Sequence, residues 1–220
     1  MADSFYIGAY WSGREETLKD VKRKVQQTLN ALSAIDEQFL TWYETGTSRK
    51  QALTKKVLFD DETIERLCLS KVRKGELDDA GISKMGFGFS LWTGQPEGEE
   101  SNISFGVGMN NKWLTNSCVL TIPYEGPARQ LLLQRTIVRK IITVLIQQWK
   151  PDSAILTSFH LGEKLGNIGW ITYKKSLKRV PKSNLEIAYE KDAVGHWIYP
   201  VAESFDEMVI EKLSPLKDVL

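Results

Sequence analysis

The stretch Gly86-Phe87-Gly88-Phe89-Ser90-Leu91-Trp92 decides the fold class. Bulky side chains alternate strictly with glycine or serine, and a period of two is the mark of a β-strand. The next apolar stretch repeats the pattern: Ile103, Phe105, Val107 and Met109 alternate with Ser104, Gly106 and Gly108. Each strand thus has one bulky face and one face of glycine and serine. A third strand is expected over Cys118-Val119-Leu120-Thr121-Ile122, closed by Pro123, which cannot donate to a ladder. Short connections favour an antiparallel meander. The glycine and serine faces permit close backbone approach. An internal helix is the expected neighbour there, with a partner molecule as the alternative.

Toward the N-terminus, Phe5-Tyr6-Ile7-Gly8-Ala9-Tyr10-Trp11 is aromatic-rich and free of proline, which predicts a strand. Ser12-Gly13-Arg14-Glu15 has capping-box spacing. Leu18, Val21, Val25, Leu29 and Leu32 then recur at steps of three or four, predicting a helix to about Asp36 with Lys19, Lys22, Arg23 and Gln26 turned to water. A second strand is expected over Phe39-Leu40-Thr41-Trp42-Tyr43, with a turn at Gly46-Thr47. Ser48-Arg49-Lys50-Gln51 is a second capping box opening a short helix with Ala52, Leu53 and Val57. Another short helix from about Asp61 buries Ile64, Leu67, Cys68 and Val72 and stops at Lys74-Gly75.

Toward the C-terminus, Pro127 opens the most hydrophobic helix, with Leu131, Val138, Ile141, Ile142, Leu145 and Trp149 as its apolar stripe and Lys150-Pro151 as its end. Strands are expected over Ala154 to Phe159, Gly169 to Tyr173, Glu186 to Glu190 and His196 to Tyr199. A last helix runs from Phe205 to Leu213, capped by Ser204. No linker, low-complexity tract or fixed-period repeat divides the chain. The expectation is one α+β domain over residues 1–220, a mainly antiparallel sheet packed against two long helices and several short ones.

The 42% apolar content suffices for a core, which excludes intrinsic disorder. The 29 basic and 28 acidic residues leave a net charge of +1, unlike a dedicated nucleic-acid binder. The N-terminus lacks the basic and apolar regions of a secretory signal. The run from Ile141 to Ile146 is far shorter than the ~20 residues of a membrane-spanning helix. A soluble, cytoplasmic chain without a membrane partner is expected, with Cys68 and Cys118 as buried free thiols.

The search for catalytic chemistry is mostly negative. His160 and His196 each stand alone in strand-like contexts without short ligand spacing, so no metal or cofactor is expected. No Gly-x-Ser-x-Gly elbow occurs. Gly86-Phe87-Gly88 and Gly106-Val107-Gly108 lie inside strands and lack the third glycine of a dinucleotide fingerprint. Pro151-Asp152 opens a strand, as in metal-dependent nucleases, but no Asp/Glu-x-Lys triplet follows. A hidden nuclease or hydrolase would have to combine Asp152 with Glu163 or Glu186. Lys174, Lys175, Lys178, Arg179 and Lys182 form a basic run that either meets phosphate or is a solvated loop. No direct nucleic-acid partner is expected.

Among the seven tryptophans, Trp92 opens the loop Trp92-Thr93-Gly94-Gln95-Pro96-Glu97-Gly98-Glu99-Glu100. An aromatic ringed by carboxylates supplies affinity together with steering toward a basic partner. The alternative is a polar hairpin loop with Trp92 packed beneath it. Asp60-Asp61-Glu62 and Glu76, Asp78 and Asp79 form further acidic clusters, the first of which also suits a helix N-terminus.

Several of these stretches together resemble the immunity protein 52 family: Phe5 to Trp11, Ala34-Ile35-Asp36, Trp42-Tyr43, Ser48-Arg49, Gly86 to Gly94, Asn116 to Leu120, and Trp149-Lys150-Pro151-Asp152. The resemblance covers most of the chain through packing motifs rather than a catalytic signature. It implies a bacterial antitoxin of a polymorphic toxin system, several of which are associated with type VI secretion. It further implies a partner toxin, often a DNase of restriction-endonuclease-like fold, and no enzymatic activity. On that reading Trp92, Glu97, Glu99, Glu100, Asp60 and Asp61 are candidate toxin-binding residues, and Trp92-x-Gly94 shapes a strand end. Occlusion of the toxin's active site and blocking of its assembly both stay open.

Overall fold

The alternating residues form strands, as their period requires. The structure, a computed structural model, describes residues 4–166, 168–181, 186–201 and 213–216. In chain order the elements are β1 (Phe5–Trp11), α1 (Leu18–Ser33), β2 (Tyr43–Glu44), α2 (Arg49–Ala52), α3 (Asp61–Leu69), β3 (Phe87–Trp92), β4 (Asn102–Val107), β5 (Asn116–Thr121), α4 (Gly126–Leu132), α5 (Arg135–Trp149), β6 (Ser153–Ser158), α6 (Phe159–Leu165), β7 (Ile171–Lys174), β8 (Ile187–Lys191) and β9 (His196–Pro200). The strands make one sheet in the order β2-β3-β4-β5-β1-β6-β7-β9-β8, antiparallel at every pairing. The fold class is α+β, as expected.

Register explains which face recruits helices. Phe87 pairs with Val107, Phe89 with Phe105 and Leu91 with Ile103, so the bulky side chains share one face. The α5 residue Trp149 packs there, with its ring 6.0 Å from that of Phe105 and 5.4 Å from that of Trp11. Its indole N–H donates to the Thr28 hydroxyl of α1 at 3.0 Å. Burying a large apolar side chain stabilises by about 1.5–3 kcal/mol, so helices settle where such side chains are. The glycine-serine face receives no such helix, contrary to expectation. Ser104 is exposed, and Gly88, Ser90, Gly106 and Ser117 stay partly accessible.

Other departures have local causes. Thr17 caps α1, its side chain accepting from the Asp20 N–H at 3.2 Å; the box expected at Ser12 does not form. Ser12 instead donates its N–H and its hydroxyl to Asp152 Oδ2, at 3.0 and 3.2 Å. Lys22, expected in water, is buried between Asp61 and Glu65 and pairs with both. Phe39 and Trp42 stand three residues apart and stack in the core, a helical rather than an alternating spacing. A 3-10 turn, Glu37–Phe39, therefore takes the start of the expected second strand, and only Tyr43 at its end is extended into a ladder, as part of β2. Ser48 caps α2 as expected, although Gln51 Oε1 accepts from Thr47 rather than closing the box on Ser48. The helix from Asp61 ends at Leu69, before Lys74-Gly75.

The expected helix from Pro127 is two helices. Gln134 takes an extended conformation between α4 and α5, which buries Leu132 and turns Leu131 outward. Lys150 closes α5 in the left-handed region, and the Arg14 guanidinium donates to the Trp149 and Lys150 carbonyls. That satisfies acceptors which a helix end leaves orphaned. His160 lies on α6, a helix the alternation did not reveal, whereas His196 is on β9. The helix expected over Phe205 to Leu213, with Ser204, lies outside the described residues save for Leu213, which is buried. Both cysteines are buried free thiols, and burial pushes the Cys68 thiol up to about 12.

Candidate functional site

The loop after β3 is anchored on either side of its exposed tip, Gln95 to Glu97. At its start the Trp92 indole donates to the Glu44 carbonyl at 3.1 Å, and its ring tilts against that of Tyr43. Paired hydrogen bonds between Thr93 and Ser101, each 3.0 Å, close the base. Gly94 has φ +76°, and a Cβ there would stand 2.5 Å from the Tyr43 ring, so glycine suits the position on two counts. Arg49 of α2 donates to the Gly94 carbonyl at 3.3 Å. On the other side, buried Gln38 donates to the Glu99 carbonyl at 2.7 Å, and the Glu125 N–H reaches the Gly98 carbonyl at 2.8 Å. The loop is thus a braced wall between two clefts.

The first cleft, about 400 Å³, is lined by Arg49, Trp92, Glu97, Glu100 and Asn102 among others. Glu100 Oε2 is buried there without a hydrogen-bond partner. A buried acceptor left unmet carries a desolvation cost that an incoming donor removes. The second cleft, about 530 Å³, lies across the loop between the 3-10 turn and α4 and includes Asp36, Glu37, Leu40, Glu99 and Leu131 in its lining. The three loop carboxylates are therefore divided: Glu97 and Glu100 face one cleft, Glu99 the other.

Asp60 and Asp61 line neither cleft. Asp60 caps α3, accepting from the Thr63 N–H at 2.7 Å, and this bond holds its carboxyl below the ordinary range. Asp61 pairs with Lys22 at 2.7 Å. Burial pulls the Lys22 ammonium down, but Asp61 and Glu65 together outweigh it and leave its pKa above the ordinary value.

The other candidates are dispersed. Asp152 is occupied by Ser12, and no group of three or more His, Cys, Asp or Glu is placed to hold a metal among the described residues. Lys174 is half-buried, with burial lowering its pKa; Lys175, Lys178 and Arg179 are exposed, and Lys182 lies outside the described residues. Trp113 was not singled out by sequence, yet it is 81% exposed, with the Lys112 ammonium 4.8 Å from its ring centroid. The sequence pattern places Leu40 in a strand and Leu131 on an apolar stripe, yet both lie at the surface. Leu40 follows buried Phe39 and Leu131 precedes buried Leu132, so the sequence around them marks neither as exposed.

Residues 3–184 match the immunity protein 52 family. The chain belongs to that family. Membership in an immunity family implies, in general terms, a protein toxin as partner. No curated protein matches the chain. Among solved structures, the chain is similar to a Pseudomonas aeruginosa T6SS protein, PA0821. The TM-score is 0.49 with 12% identity, over 93% of this chain and 71% of that one. Among the described residues, no helix of this immunity 52 chain is long and apolar enough to cross a membrane.

Proposed function

We propose that the chain is a cytoplasmic immunity protein that binds and neutralises a cognate toxin. The toxin is a restriction-endonuclease-fold DNase effector of a type VI secretion or related polymorphic toxin system. The match to the immunity protein 52 family over residues 3–184 carries this reading. Neutralisation is stoichiometric, and the chain has no enzymatic activity of its own. The braced loop supports the assignment: a DNase needs a cationic surface to hold phosphate, and carboxylates carried on a braced backbone are its complement. Trp92, Glu97, Glu99 and Glu100 are the proposed toxin-facing residues. Asp60 and Asp61 serve the fold on this reading, through the α3 cap and the Lys22 pair.

Co-expression with the toxin encoded by the neighbouring gene tests the function. Cells survive, and the two proteins co-elute on gel filtration. Separate elution at micromolar concentration overturns the proposal. Reversing Glu97, Glu99 and Glu100 to lysine slows association and weakens its salt dependence; unchanged kinetics place the interface elsewhere.

A further inference from the structure

We infer that the second cleft docks a basic, amphipathic segment of the toxin, a lysine or arginine flanked by apolar side chains. The inference rests on the immunity reading above and assigns the contact within it.

Charge and apolar surface coincide in this cleft. Asp36, Glu37 and Glu99 contribute carboxylates, and no lysine or arginine lines it. None of the three belongs to an ion pair among the described residues. Leu40, 61% exposed, and Leu131, 39% exposed, lie in the same lining. A leucine left in water gains by burial, and like charges gathered at one site favour an incoming cation. A segment offering both kinds of group answers both. The first cleft differs because Arg49 stands with Glu97 and Glu100, giving charge of both signs within one lining.

The cleft is also preformed. Asp36 caps the 3-10 turn, accepting from the Gln38 N–H at 2.8 Å. Gln38 then crosses to the Glu99 carbonyl, fixing one wall to the other. Binding into fixed walls avoids much of the ordering cost that weakens loop-mediated contacts.

The test uses the full chain and the neighbouring-gene toxin, purified as a catalytically dead variant, with association and dissociation rates measured at low and high salt. Glu37→Lys/Glu99→Lys slows association about 10-fold or more at low salt, and the difference shrinks at high salt. Leu40→Ser/Leu131→Ser dissociates roughly 10-fold faster with little change in association. Both variants alter accessible side chains, and thermal unfolding checks that they remain folded. Glu163→Lys, at an exposed position lining neither cleft, serves as the charge control. A wild-type chain that fails to bind overturns the immunity reading itself. Wild-type binding with both double variants matching it overturns the cleft alone. Equal slowing by Glu163→Lys, or a larger loss from Glu97→Lys/Glu100→Lys, also overturns it.

Discussion

One sheet is built in two ways. In its β3-β4-β5 half, bulky side chains fill one face, while the other carries Gly88, Ser90, Ser104 and Gly106 in partial or full contact with water. In its β6-β7-β9 half both faces are buried: Ala154, Leu156, Tyr173 and Trp197 on one, Ile155, Thr157, Thr172 and Ile198 on the other. The sequences differ accordingly. Strict alternation marks a strand wetted on one side, and the unbroken Ala154-Ile155-Leu156 marks one covered on both. The half with the open face also carries the acidic loop, both clefts and exposed Trp113. Burial extends to both faces in one half, and accessible surface gathers in the other.

The largest expected effect tests the layer both halves share. Trp149→Ala removes a fully buried indole that packs on Trp11 and Phe105 and bonds Thr28. Truncations of this kind cost about 3–5 kcal/mol. Urea unfolding is the measurement, and a cost below about 1 kcal/mol would remove Trp149 from the centre of the core. Next come two truncations on the same side of the sheet. Ile198→Ala in the closed half costs about 2–5 kcal/mol. Val119→Ala in the open half stays below about 1 kcal/mol. Equal costs would break the comparison.

A smaller effect appears on acidification at the β8-β9 end. Tyr199 and Arg139 hold the Glu190 carboxyl below its ordinary range. At Asp192 burial pushes upward, but donors from the Trp197 indole at 2.8 Å and from the Val194 and Gly195 N–H groups at 3.0 Å outweigh it. Both groups thus titrate lower folded than unfolded. Their contribution is present above the unfolded pKa of about 4 and lost as pH falls through the folded value. Asp192→Asn should flatten the fall in Tm between about pH 5 and pH 2. An unchanged slope would show that this carboxylate does not couple folding to pH.

Much of the fold was legible because each strand of the meander carries its own periodicity. Residues Phe87 to Leu91 and Ile103 to Val107 specify strand and face by themselves, whereas register also depends on the turn between them. The second strand failed because Phe39 and Trp42 signal burial in either period, and only their stacking in the folded chain decides. The Ser12 box failed because Thr17-Leu18-Lys19-Asp20 offers the same spacing closer to the apolar stripe. The loop carboxylates were visible as composition. Their division between two clefts was not, since it depends on Gln38 and Glu125, which come from distant parts of the chain. Leu131 became surface through the break at Gln134, a backbone choice made by packing on both sides of it.

The smallest expected effect examines the open face directly. Ser104 is exposed, shares a 2.9 Å hydrogen bond with Ser90 and stands opposite Val119. Ser104→Val forfeits that bond, worth about 0.5–1.5 kcal/mol when protected and less in water. It gains strand propensity and a cross-strand pair with Val119 worth about 0.2–1 kcal/mol. The terms offset, so stability should move by no more than about 0.5 kcal/mol. A loss above about 2 kcal/mol would mean that the added methyl groups collide with something lying on this face, as overpacking does in a core. An unchanged Tm with weakened toxin binding would identify the glycine-serine face as part of the interface. Unchanged stability and unchanged binding leave the contact with the loop and its clefts.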